Sequence, residues 1–139
     1  MITAYFDGGS RGNPGPAGWG AYIVNDEGEV LAELSGALGV TTNNVAEYNG
    51  LLAALEWAVS QGLTELHVKG DSQLLVEQMR GNYKVKNEGL KPLYLKARML
   101  VMQIGNVTFE HVRRELNQHA DRLSNAGMDA NAPVTDQNR

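Results

Sequence analysis

The 139-residue chain reads as one α/β domain built on a mixed five-stranded sheet. Three observations point to this class. Three strand-like segments open the chain with short connections, which favours an antiparallel meander. Helix-period and strand-like segments then alternate, which favours parallel pairing. Apolar residues make up 42% of the chain, enough for a packed core and too many for a disordered polymer.

The elements follow in order. From Ile2 to Asp7 the side chains alternate, with Ile2, Ala4 and Phe6 on one face and Thr3, Tyr5 and Asp7 on the other. Gly8 to Gly18, with five glycines and two prolines, reads as a loop. Trp19–Asn25 is a second strand, Asp26-Glu27-Gly28 a hairpin turn, and Glu29–Ser35 a third strand. The period then changes. Val45, Tyr48, Leu52, Leu55 and Val59 recur at three and four, predicting a helix over 44–61 with Asn44 as N-cap and Gly62 as stop. Leu63–Lys69 is a fourth strand, Ser72–Met79 a short helix, Leu90–Ile104 a longer one, Val107–Arg113 a fifth strand and Asn117–Met128 a last helix. A domain over 1–130 is expected, with 131–139 a disordered polar tail.

The chain has no cysteine, which excludes disulfides, zinc–thiolate sites and cysteine nucleophiles. Its start shows no charged head followed by an apolar run, and no apolar stretch is long enough to span a bilayer. A cytoplasmic monomer without membrane contact is therefore expected. The net charge of −4 argues against a nucleic-acid partner, but the distribution does not. Residues 80–98 hold Arg80, Lys84, Lys86, Lys91, Lys96 and Arg98 against Glu88 alone, half of the 12 bases. Such a strip is either a solvated face or a seat for phosphates, since distant acids are screened beyond about a Debye length, roughly 10 Å.

Four acids carry the chemistry. Asp7 and Asp71 each follow a strand, Glu47 lies in the first turn of the long helix, and Asp121 lies early in the last helix. Parallel pairing of the first and fourth strands brings Asp7 and Asp71 to one sheet edge, where ligands of open α/β sheets sit. Each acid also has an ordinary reading: a turn opener for Asp7, a capping box for Glu47, an N-cap for Asp71, a solvated helix face for Asp121. Convergence of all four requires a cation to offset their repulsion, and oxygen-only ligands suit Mg²⁺ or Mn²⁺.

Five pieces in sequence order resemble ribonuclease H of type 1. They are Phe6-Asp7-Gly8-Gly9-Ser10, the run from Gly12 to Gly20, Thr41-Thr42-Asn43-Asn44-Val45-Ala46-Glu47, Gly70-Asp71-Ser72-Gln73, and the run from Arg114 to Asp121. The resemblance covers about Ile2 to Met128. It implies a ribonuclease H-like fold and a two-metal endonuclease that cuts the RNA strand of RNA–DNA hybrids to 5′-phosphate and 3′-hydroxyl products. Asp7, Glu47, Asp71 and Asp121 would be the metal-binding catalytic acids. Asn13, Asn44 and Gln73 match positions that contact the RNA strand, and Thr42 and Asn87 match positions that hold a phosphate of the DNA strand. Lys84, Lys86 and Lys91 would add phosphate contacts.

The chain also departs from many members. Val40 stands where an arginine often precedes the phosphate pocket, and a basic, tryptophan-rich protrusion is missing between Met79 and Leu90. The loop that carries a catalytic histidine is almost gone, and Arg114 stands seven residues before Asp121 as in a shorter subgroup. That subgroup has looser substrate preferences, which extends the expected substrates to duplex RNA. His119 is a rival replacement, but its side chain diverges from Asp121 by about 200° on a helix. His67 and His111 read as structural residues of strands. Three other readings stay open: a hybrid-binding module that does not cut, a transposase-, integrase- or exonuclease-like enzyme on this fold, and an acidic domain that binds a protein.

Overall fold

The computed structural model describes residues 1–131, so most of the expected tail lies outside the described residues. It contains β1 (Thr3–Ser10), β2 (Gly15–Val24), β3 (Val30–Thr41), α1 (Asn43–Ser60), β4 (Glu65–Gly70), α2 (Gln73–Met79), α3 (Lys91–Ile104), β5 (Asn106–His111), a 3₁₀ turn at Arg114–Leu116, and α4 (Gln118–Asp129). The sheet order is β3-β2-β1-β4-β5. β1–β2 and β2–β3 are antiparallel, while β1–β4 and β4–β5 are parallel. The mixed five-stranded sheet expected from the element order is the one found.

The alternation along β1 sets the layers. Ala4 and Phe6 are fully buried and pack with Ala21, Ile23, Leu66 and Val68 against Tyr48, Leu51 and Leu55 of α1. α3 closes the same core through Ala97 and Ile104. α1 is buried more broadly than its three-and-four stripe predicts, with Ala46, Ala54 and Ala58 also inside, because it lies between the sheet and α3. α4 covers the other sheet face. Gly20 stands opposite Asp7 in the β1–β2 register, and a Cβ there would come within 2.6 Å of Ala120 O and the Leu123 side chain. The missing side chain lets α4 lie close to the strand that carries Asp7. Gly8 does the same on the other face: a Cβ there would run into the Ala46–Glu47 backbone of α1. Two glycines thus draw the helices bearing Glu47 and Asp121 onto the strand bearing Asp7.

Several boundaries differ from the sequence reading. The glycine-rich segment is not all loop: β1 runs on through Ser10 and β2 begins at Gly15, whose backbone pairs with Thr41. β3 likewise continues past Ser35 to Thr41, held by backbone pairing with β2 rather than by a side-chain pattern. α1 is capped by Thr42, not Asn44, with Thr42 Oγ1 accepting from Val45 N at 3.3 Å. Asn131, assigned to the tail, is tied to the sheet. Its Nδ2 donates to Ala17 O at 2.9 Å and its Oδ1 accepts from Gly39 N at 2.7 Å.

Candidate active site

Asp7, Glu47 and Asp71 converge at the carboxyl ends of β1 and β4. One carboxylate oxygen from each lies within 4.8 Å of the others. Asp7 is inside β1 and only 7% exposed, so it opens no turn. Asp71 is not the cap of α2; Ser72 is, its Oγ accepting from Leu75 N at 3.2 Å. Glu47 is not in a capping box with Asn44, because Thr42 holds the cap. The local duties that could have explained Glu47 and Asp71 are performed by neighbouring hydroxyls, and the acids are left to face a cleft of about 430 Å³.

Asp121, in the first turn of α4, joins this cleft beside Asp7. Burial, then repulsion from Asp71, pushes the Asp7 carboxyl up to about 8. Burial, then repulsion from Asp7 and Asp71, pushes Glu47 to about 8 as well, against the opposing pull of Arg114 and a hydrogen bond from Ser72. Without a cation Asp7 and Glu47 hold protons near neutral pH, since carboxylates crowded into one desolvated place resist ionising together. A hard divalent ion can replace those protons, and an all-oxygen donor set of this size is what such an ion binds. The residues therefore fit a divalent metal.

Among the described residues Arg114, in the 3₁₀ turn before α4, is the one base lining the cleft. The ion pair at this turn belongs to its neighbour, Arg113–Glu115 at 3.8 Å, while the Arg114 charge acts on Glu47. His119 sits elsewhere. Its ring stacks on Tyr22 with centroids 4.2 Å apart and planes 10° apart, and its Nδ1 lies 3.4 Å from Arg122. His67 bridges two β5 side chains, Thr108 and Glu110, the latter at 2.8 Å.

The expected substrate contacts fall into two groups. Asn44 lines the cleft, and Gln73 is an exposed first residue of α2. Asn13 accepts from Asn43 N at 3.0 Å and ties the glycine-rich turn to the start of α1. Thr42 and Asn87 have local partners, Val45 N and Gly89 N respectively, so each also shapes its own backbone. The basic strip is less free than its composition suggests. Arg80, Lys91 and Lys96 are paired with Glu77, Glu88 and Glu56, and Arg98 donates to Met79 O. Lys84 and Lys86 make no ion pair among the described residues; they lie in the connection between α2 and α3, not on a helix face. Three residues escaped the sequence reading: Asn43, whose Oδ1 accepts from Ser10 N at 2.8 Å, Ser72 beside Glu47, and Asn117 beside Asp71. All three lie inside the motifs quoted above, next to the acids, but nothing in those motifs singled them out.

The reverse transcriptase-like family profile matches residues 5–127. The bifunctional protein Rv2228c of Mycobacterium tuberculosis is 54% identical over 127 residues, covering 91% of this chain and 35% of its own length. Ribonuclease HI of Halobacterium salinarum is 41% identical over 128 residues, covering 92% of this chain and 64% of that protein. The chain thus spans about a third of the first relative and under two thirds of the second. LC11-RNase H1, solved in complex with an RNA/DNA hybrid, superposes with a TM-score of 0.88 at 45% identity, covering 93% of this chain and 97% of that one. With the matching sheet order and the four acids in one cleft, these similarities establish that the chain belongs to the ribonuclease H family.

Proposed function

We propose that this protein is a divalent-metal-dependent endoribonuclease that hydrolyses the RNA strand of RNA–DNA hybrids. The observation that carries the proposal is the convergence of Asp7, Glu47 and Asp71 within 4.8 Å, on elements that have no local need of them. Mg²⁺ is the expected ion, with Mn²⁺ a substitute, held by these three acids and Asp121. When bound, two such ions supply activation of a water and stabilisation of the leaving oxygen. Attack at phosphorus breaks the bond to the 3′-oxygen and leaves a 5′-phosphate and a 3′-hydroxyl.

The chain's own groups do the rest. Buried Asp7 anchors the acid cluster on the rigid sheet, and Glu47 and Asp71 flank it. Arg114 sets a permanent positive charge beside the reacting phosphate, where a desolvated site makes it count. Asn13, Asn44 and Gln73 read the RNA strand, whose 2′-hydroxyl is the group that separates it from DNA. Thr42 and Asn87 hold a phosphate of the DNA strand, and Lys84, Lys86 and Lys91 extend that contact. The Lys91 pair with Glu88 is exposed and weak, so a phosphate can displace it. Val40, 70% exposed in β3, offers no charge at the edge of the phosphate pocket, and the short connection after α2 offers no protrusion. Hybrid binding should accordingly lean on the lysines. Among the described residues no helix is long and apolar enough to cross a membrane. We take the protein to act as a cytoplasmic monomer.

The test is end-labelled RNA–DNA hybrid, duplex RNA and duplex DNA, each incubated with protein with and without Mg²⁺. The proposal expects Mg²⁺-dependent cutting of the hybrid's RNA strand, weaker cutting of duplex RNA, and none of duplex DNA. Cutting of duplex DNA at a similar rate would favour a general nuclease on this fold.

A further inference from the structure

Asn117 is 1% exposed and lies at the N-cap of α4. Its Nδ2 donates both hydrogens inward, to Phe6 O at 2.9 Å and to Asp71 Oδ2 at 3.1 Å. Its backbone carbonyl accepts from Asp121 N at 3.0 Å. Phe6 is the residue before Asp7. One buried amide therefore links the strand carrying Asp7, the carboxylate of Asp71 and the helix turn carrying Asp121. The amide has one stable orientation. Reversed, its oxygen would face the Phe6 carbonyl and the Asp71 carboxylate, two acceptors. In the observed orientation Asn117 Oδ1 is buried with no hydrogen-bond partner among the described residues. An apolar side chain of this size would fill the same space but would take the donor away from both the Phe6 carbonyl and the Asp71 carboxylate.

We propose that Asn117 is a positioning residue for metal binding. By occupying one oxygen of Asp71 and fixing α4 to β1, it sets the remaining oxygen of Asp71, and Asp121, at the separation from Asp7 that a divalent ion requires. Partners behind metal-binding carboxylates commonly contribute 10–100-fold to affinity or activity. The proposal rests on the assignment of the acid cluster as the metal site.

The experiment measures Mn²⁺ binding to the full chain by electron paramagnetic resonance, on wild type, Asn117→Ala, Asp71→Asn and the double variant. Circular dichroism first establishes that each is folded. Asn117→Ser, which keeps a polar group and removes less volume, replaces Asn117→Ala if that variant unfolds. Asn117→Ala is expected to weaken Mn²⁺ binding by about 10–100-fold, to raise the Mg²⁺ concentration for half-maximal cleavage, and to leave KM for hybrid within about twofold. In the Asp71→Asn background the same change should have little further effect on Mn²⁺ binding, because its partner is already altered. A folded Asn117 variant with wild-type Mn²⁺ affinity would overturn the positioning role, as would an effect that simply adds to that of Asp71→Asn. If Asp71→Asn itself left Mn²⁺ binding and cleavage at wild-type levels, the metal-site assignment would fail, and the positioning role with it.

Discussion

Replacing Asp7 by Asn should stabilise the metal-free protein, and the gain should grow with pH. Asp7 is 7% exposed, and burial with repulsion from Asp71 raises its carboxyl from an ordinary 3.8 to about 8. A carboxyl held above its unfolded value favours folding while it is protonated. That contribution is complete below about pH 4, shrinks as pH rises between the two values, and is gone above about pH 8, where the folded state must carry the charge. A shift of roughly four units sets a ceiling of about 5–6 kcal/mol at about 1.4 kcal/mol per unit. The repulsion is shared with neighbouring acids and the cleft opens to solvent, so about 1–3 kcal/mol is the expected share for Asp7 alone. For a domain of this size that is roughly 4–12 °C in Tm. Thermal unfolding of wild type and Asp7→Asn in chelator, at pH 4.5, 6.5 and 8.5, reads the effect directly. The Tm difference should be small at pH 4.5 and largest at pH 8.5, and saturating Mg²⁺ should shrink or reverse it by stabilising wild type alone. A difference independent of pH, or a destabilised variant at pH 8.5, would refute the picture of mutually repelling buried acids.

Other outcomes follow from the same geometry. Arg114→Ala should lower kcat by roughly 10–1000-fold at saturating Mg²⁺, whereas His119→Ala, which loses a stack on Tyr22 and a contact with Arg122, should change it by less than about threefold; steady-state cleavage of one hybrid compares them. Replacing Lys84, Lys86 and Lys91 together with Ala should weaken hybrid binding and flatten its log–log salt slope by up to about three, and an unchanged slope would make these lysines a solvated face. Gly20→Ala should cost about 1–3 kcal/mol in denaturant unfolding, because its methyl has to displace α4 from the sheet. Deoxyribonucleotide replacement of the four ribonucleotides around a cut site should stop cutting there, and continued cutting would separate strand choice from the 2′-hydroxyl.

The elements most legible in the sequence were those whose side chains alternate or recur against a core. β1, α1 and β4 show this, and their order was enough to place Asp7 and Asp71 at one sheet edge. The second half of β3 was not legible, because Gly36 to Thr41 is ordered by backbone bonds to β2 and carries no clean alternation. The cap of α1 was misplaced by two residues, since Thr42 and Asn44 are both good N-caps and only the chain path decides between them. The acids themselves stood out through their motifs. Their support did not: Asn117 looks like an ordinary helix start, and its bonds to Phe6 and Asp71 span 111 and 46 residues. The ion pair that occupies Lys96 was equally hidden, as its partner, Glu56, lies on a different helix.

The central claim is that the acid cluster performs the cleavage and that binding rests on other groups. Asp71→Asn separates the two, since it keeps the size of the side chain and removes its charge. Single-turnover cleavage of a labelled hybrid in Mg²⁺ should fall to background for this variant, while its hybrid Kd, measured in parallel, stays within a few-fold of wild type. Cleavage by Asp71→Asn near the wild-type rate would contradict the account.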